Sequence, residues 1–220
     1  MAEVYGQKPK IFTKEWWPYF WLYYKWHTIA VLFVMMLVAI GISDCARREK
    51  YDLRITYLGR TYYETQMWDY AGELLEQDIE DADGDDNKNI GIMTYVIADG
   101  EDYADHNYAS YIKHDVSFSE DLSYIYIYDS SELKRALEDG TDAGCYAKVS
   151  DWLIKDVSDD KLIYTDGTAY AVSLRDSDIL KKAGINCEEL YILVRTDAGI
   201  PQKDNLAQKN AVITANNLIK

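Results

Sequence analysis

Asp81, Asp83 and Asp85 alternate along the stretch DADGDDNKN, residues 81–89, and Asn87 and Asn89 continue the same spacing. Oxygen donors at every second position can wrap one hard cation, because a chain that curls around an ion turns alternate residues inward. The carboxylates of Asp81, Asp83 and Asp85, the backbone carbonyl of Asn87 and the side chain of Asn89 would form the shell, and calcium is the ion that such a set takes. The same residues also make a solvated acidic turn, since Asp, Gly and Asn bend the backbone through their own local hydrogen bonds. Both readings stay open from the sequence.

The stretch resembles a calcium loop of the EF-hand or dockerin type, with two departures. Asp86 stands where glycine makes the sharp turn, and Ile92 where a bidentate Glu would close the shell. Catalytic chemistry has fewer candidates. His27 lies at the start of an apolar run, and His106 and His114 are too far apart for the i, i+4 pair that grips a metal, so all three read as surface residues. The chain has no Gly-x-Ser-x-Gly elbow, phosphate-binding glycine loop or Cys-x-x-Cys. It therefore reads as noncatalytic, with no required cofactor and calcium as the one ion suggested.

The apolar run is the strongest single signal. From Thr28 to Ser43 no residue is charged, and Trp16, Trp17, Tyr19, Trp21, Tyr23, Tyr24 and Trp26 crowd in before it. A helix crosses a hydrocarbon core of about 30 Å with about 20 apolar residues, so the run is short unless the rings complete it. A helix starting near Leu22 does that, with Lys25 reaching its ammonium to the interface and the rings forming a headgroup belt. The run is apolar all round rather than striped, which separates it from a core helix. A cleaved signal peptide fits less well, because the segment before the run is long and bulky, and Asp44 directly before Cys45 does not suit lipoprotein processing. Lysines and arginines balance on the two sides, with Lys8, Lys10, Lys14 and Lys25 before the span and Arg47, Arg48, Lys50 and Arg54 after it. The expected orientation is N terminus inside and the large domain outside, because a bulky domain behind one anchor translocates largely regardless of charge.

Charge and cysteine content narrow the remainder. The first 44 residues hold four lysines against Glu3, Glu15 and Asp44, so a chain total of −15 leaves −16 on the residues beyond. Such a field repels phosphate backbones and anionic lipid, which argues against nucleic-acid binding. Cys45, Cys145 and Cys187 have no ligand spacing, and a Cys145–Cys187 bridge stays open. The lack of an Asn-x-Ser/Thr site leans toward a bacterial surface.

From Tyr51 onward short β-rich runs alternate with helical ones. YDLRITYLG, NIGIMTYVIA, SYIYIYD, AYAVSLR and ELYILVR read as strands. Helices are expected over Glu64–Ile79, through Ala104, Tyr108, Tyr111 and Ile112, over SSELKRALEDG with a cap at Ser130 or Ser131 and a stop at Gly140, over DSDILKKAG, and over Asp204–Lys220. Thr141 to Thr165 reads as polar and partly irregular. The alternation implies an α/β fold, a mainly parallel sheet with helices on both faces, preceded by one transmembrane helix. The organisation is 1–21 cytoplasmic and interfacial, 22–44 transmembrane, 45–50 a basic linker and 51–220 the α/β domain.

SYIYIYDSSELKRALEDG, DGTAYAVSL, DILKKAGI and KNAVITANNLI together resemble the extracytoplasmic solute-binding proteins of ABC importers. The resemblance implies an anchored binding or interaction protein, accessory to an importer or to another surface protein, at the cell membrane. Gly184 leads within a few residues to ELYILVR and the last helix, so one lobe of the family's two is expected, and Ser173 replaces the family's usual proline. A single lobe cannot close over a solute, which weakens ordinary capture. A ligand or calcium sensor is the alternative, and a surface hydrolase a distant third. Tyr124, Tyr126 and Tyr128 are expected to pack, whereas Tyr62 and Tyr63 follow the first strand, where open α/β sheets bind ligands or partners.

Overall fold

A computed structural model describes residues 10–46, 51–82, 84–119, 123–138, 145–196 and 205–219. Asp83, Gly140 and residues 47–50 of the basic linker lie outside them. The chain divides into two units, Met1–Glu49 and Lys50–Lys220.

The first unit is α1, Trp16–Ala46. It starts six residues before the expected Leu22, so the ring-rich segment is helical too. Pro18 lies in its first turn, where a missing N–H costs little. Rings four residues apart stack along one side, Trp16 on Phe20 at 5.0 Å and Phe20 on Tyr24 at 5.8 Å. Within α1, Trp16–Ile42 is a 27-residue run of mean hydropathy 1.9, and none of its most apolar stretch is buried.

The second unit is built on a six-stranded sheet. Its strands are β1 (Leu53–Gly59), β2 (Ile90–Val96), β3 (Ile125–Asp129), β4 (Leu162–Thr165), β5 (Thr168–Ser173) and β6 (Leu190–Val194), in spatial order β2-β1-β3-β6-β5-β4. The fold is α/β as expected. β1, β2 and β3 are mutually parallel, while β6 is antiparallel to both β3 and β5, and β4 to β5. Four strands therefore share one direction, and the other two turn half of the sheet into an antiparallel meander. β2 is an edge strand and only partly covered, not the fully buried strand its sequence suggests. β4 falls in the stretch expected to be irregular. It pairs with β5 through a turn in which Asp166 and Gly167 both have positive φ, 51° and 75°, the backbone that a two-residue hairpin turn requires.

Side-chain alternation sends the two halves of each strand to different layers. Leu53, Ile55 and Tyr57 of β1 and Ile125 and Ile127 of β3 face α2 (Thr65–Glu76), α5 (Val149–Trp152), α6 (Asp178–Lys182) and α7 (Asn205–Leu218), with Trp68, Leu75 and Trp152 in the same core. Leu58, Tyr126, Tyr128 and Leu193 face α3 (Ala104–Ser119) and α4 (Ser130–Glu138). Tyr126 and Tyr128 thus pack in one core and Ile125 and Ile127 in the other, where Tyr124, just before β3, joins the isoleucines; all three tyrosines are buried, as expected.

α3 is oriented against its apolar pattern. Tyr108 and Ile112 are exposed, and Ser110, His114 and Ser117 are buried. His114, expected at the surface, is 3% exposed, with Nε2 3.0 Å from the Tyr128 hydroxyl, which is itself 2.8 Å from the Tyr146 hydroxyl. Hydrogen bonding from below decides the facing of this helix. The α4 cap is also displaced by one residue from the expected serines: Asp129 Oδ1 accepts from the Ser131 and Glu132 amides at 3.0 and 2.9 Å. α6 ends at Gly184, φ 80°, as expected, and is capped at its start by Ser177.

α7 is tied down by asparagines rather than by apolar contact alone. The Asn210 amide accepts from Glu80 N at 2.9 Å and donates to Glu80 O at 2.7 Å. Asn216 accepts from Ile154 N and donates to Trp152 O, both at 2.9 Å. These bonds satisfy loop backbone groups that burial would otherwise leave costly.

Candidate functional site

In open α/β sheets the C-terminal strand ends at a switch in strand order form the usual ligand crevice. Here the chain passes from β1 to β2 on one side and then to β3 on the other, so the switch lies between β1 and β3. Arg60 begins the loop after β1. Its amide donates to Asp129 Oδ2 at 2.6 Å and its guanidinium pairs with Asp99 at 3.1 Å, across the ends of all three parallel strands. Gly59 is required beneath this loop, because a Cβ there would lie 2.5 Å from the Tyr57 hydroxyl. That hydroxyl donates to Thr61 O at 2.8 Å and closes the turn.

The two tyrosines of this loop differ in placement. Tyr63 is half-buried, edge-on to Tyr57 and Trp68 at 5.9 Å each, and its hydroxyl donates to Asn186 O at 2.7 Å. Burial raises its pKa. Tyr62 is 69% exposed beside it. Tyr63 therefore joins the β1 loop to the α6–β6 connection, and Tyr62 holds the free ring surface.

Beyond Asn186 lies an open groove of about 490 Å³, lined by Arg175, Asp176, Lys181, Asn186, Cys187 and Glu188 among others. β5 runs in the same direction as β1, so this groove sits on the same sheet edge. Asp176 lies 2.5 Å from Lys161, 3.7 Å from Arg175 and 3.9 Å from Lys181, and Arg175 also pairs with Asp160. The Lys161 hydrogen bond, followed by the neighbouring positive charges, holds the Asp176 carboxyl below its ordinary value. Arg175 and Lys181 are both drawn to Asp176 and Glu188 adds a second carboxylate, so the groove offers balanced charge and hydrogen-bonding groups, which suits a small polar ligand rather than an anion in particular. Cys187 is buried and its thiol is pushed up by that burial, which disfavours the thiolate. Cys145 and Cys187 are free, Cys145 pairing with Thr196 past the end of β6 and Cys187 preceding its start.

A second charged cluster lies at the α3–α4 side of the same edge. Glu132 is 3% exposed, accepting from the Tyr111 hydroxyl at 3.0 Å and from Arg135 Nε at 3.1 Å, with the Arg135 guanidinium 4.0 Å over the Tyr111 ring. Burial, and then the Glu132 carboxylate, push the Tyr111 hydroxyl up to about 12, against the pull of Arg135 and Arg60. Because the folded value is raised, this tyrosine's contribution to stability is complete below its ordinary value of 10 and is lost as pH rises toward 12. Tyr111→Phe should flatten the alkaline loss of stability across that window, measured as urea midpoints at a series of pH values. Some slope will remain, since Tyr57 and Tyr63 are raised as well.

The acidic loop sits at the opposite sheet edge, beside the start of β1. Buried Asp52 pins both its ends, accepting from Ala82 N at 2.5 Å and Asn89 N at 2.8 Å. Asp81 accepts from the Gly84 and Asp86 amides at 2.6 and 2.8 Å, and Asp85 from the Asn87 amide at 2.8 Å. The Asn89 side chain accepts from Asp52 N at 3.1 Å. Among the described residues no group of three or more His, Cys, Asp or Glu converges as metal ligands, and Asp83 lies outside them. Asp52, twenty-nine residues ahead of the loop, gave no local sequence signal.

On α1, Trp17, Trp21, Tyr23, Tyr24 and Trp26 are exposed, Trp16 and Tyr19 are partly covered by neighbouring rings, and Lys25 Nζ lies 5.9 Å over the Trp26 ring. No protein-family model, curated protein or solved structure matches this chain.

Proposed function

We propose that this chain is a membrane-anchored, noncatalytic binding protein whose α/β unit lies on the side of the bilayer opposite the N terminus. One observation carries the reading: the 27-residue run Trp16–Ile42, of mean hydropathy 1.9, has none of its most apolar stretch buried. A helix of 31 residues is about 46 Å long at 1.5 Å per residue, against a core of about 30 Å, so its ring-rich end reaches the headgroup layer. The resemblance to solute-binding proteins supports recognition at the C-terminal sheet edge, by Tyr62 and the Arg175–Lys181 groove, and makes an importer the first partner to test. A single lobe receives its ligand without closing on it.

Alkaline carbonate washing of membranes that hold the full chain should leave it in the pellet, and protease added from outside should digest the α/β unit. Extraction by carbonate overturns the anchor, and protection of the unit reverses the orientation. Purification in mild detergent without any importer component counts against the importer as partner.

The second reading, a calcium sensor, is favoured by the pinning of the acidic loop at both ends by Asp52. Calorimetric titration of calcium into the full chain should then give heat that is lost in Asp83→Ala. No heat in the unaltered chain sinks it.

A further inference from the structure

α3 presents an apolar ridge to solvent while burying hydrogen-bonding groups. Tyr108, Ile112 and Val116, spaced four residues apart, are 69%, 45% and 48% exposed, and Tyr103 precedes them at 50%. The helix cannot roll to bury this ridge. Asn107 clamps both backbone groups of Ala98, at 2.9 and 2.7 Å, and His114 is held by Tyr128 at 3.0 Å. Turning the ridge inward would break these bonds and expose Phe118, which packs 5.1 Å from Tyr126.

We propose that the outer face of α3 docks a helix of a partner protein, one with its own apolar ridge flanked by lysine or arginine. Residues four apart form the ridge that commonly interdigitates in helix pairs. Charge selects the partner. Asp105 is three residues before Tyr108 and Asp115 three after Ile112, both exposed, so their carboxylates share the ridge face, with Lys113, three before Val116, as a cation at its margin. A second copy would set these carboxylates against their own equivalents, on units whose residues beyond 44 carry −16 each. Anionic lipid is repelled by the same field. A basic-flanked helix satisfies both the apolar ridge and its acidic border. A ridge of this length makes a contact at the small end of protein interfaces, suited to reversible association. The inference stands whether or not α1 spans a bilayer.

The test uses the full chain in detergent micelles and a labelled synthetic helical peptide with leucines four residues apart and lysines beside them. A twin peptide carries glutamates in place of the lysines, and empty micelles set the baseline. The lysine peptide should bind and the glutamate twin should not, with binding weakened by salt. Ile112→Glu should reduce affinity about tenfold or more, as loss of a central anchor does. Ile154→Glu, at a 75% exposed position on the opposite side of the sheet, should leave it unchanged. Equal binding by the unaltered chain and Ile112→Glu overturns the proposal, as does equal affinity for the two peptides. Sedimentation showing a dimer that Ile112→Glu dissociates would assign the face to a second copy instead.

Discussion

Arginine at both Val34 and Leu37 should move this chain from the membrane fraction to the soluble fraction. The two positions straddle the centre of the uncharged run Thr28–Ser43, 57% and 52% exposed, and three residues apart they share one face of α1. An arginine at the centre of a spanning helix costs about 2.5–3.5 kcal/mol in insertion, so two cost about 5–7 kcal/mol, more than a thousandfold in the partition. Neither side chain can reach an interface easily from mid-span, which removes the usual escape by snorkelling. Exchanging the two residues, Val34→Leu with Leu37→Val, keeps the apolar character and should keep the protein in the membrane. If the arginine variant still pellets after carbonate washing, α1 is not what holds the chain there. The mass of the mature protein adds a separate check, since a cleaved signal sequence would leave it short by α1.

The second large effect is expected at His114. Its replacement by alanine removes a buried ring that touches Tyr95, Phe118, Tyr126 and Tyr128, and takes away one partner of the Tyr128 hydroxyl. Cavity and lost hydrogen bond together should cost about 3–5 kcal/mol, a large part of what an ordinary domain has. His114→Phe keeps the ring and loses the hydrogen bonds to Tyr128 and Asp115, so it should cost about 1–3 kcal/mol. Urea unfolding of the full chain in micelles, followed by tyrosine and tryptophan fluorescence, measures both. An alanine variant within about 0.5 kcal/mol of the unaltered protein, the range of ordinary surface changes, would mean that the imidazole is not part of the core.

The contrast between His114 and its neighbours shows which parts of this molecule were legible from sequence. The strands of the parallel half were, because Leu53, Ile55 and Tyr57 alternate with polar residues, and so was α2, whose Trp68, Ala71 and Leu75 recur at helical spacing. α3 was legible as a helix but not in its facing. Periodicity places apolar residues inward, whereas here Tyr128 below the helix rewards an imidazole more than the core rewards Ile112. β4 was missed because Leu162–Thr165 is short, half-exposed and without clean alternation. The Asp-Gly pair at 166 and 167 was the available signal, since it demands a hairpin and hence a partner strand before it. The antiparallel return of β6 was invisible for a different reason. Strand–helix alternation predicts crossovers, and nothing local in ELYILVR distinguishes a strand running with its neighbours from one running against them. The groove at Arg175 and Lys181 belongs to the same class, because its walls come from two loops that only the fold brings beside Tyr63.

α7 also sets when the unit can come into being. It packs against β1 and β6, and its asparagines close loops after α2 and α5, so the last helix supports the first strand. Contacts between such distant parts of a chain form late and slow the folding of the whole. During synthesis the ribosome must release α7 before the first strand has its full support. The unit therefore withholds its final packing until α7 has emerged, on whichever side of a bilayer it folds.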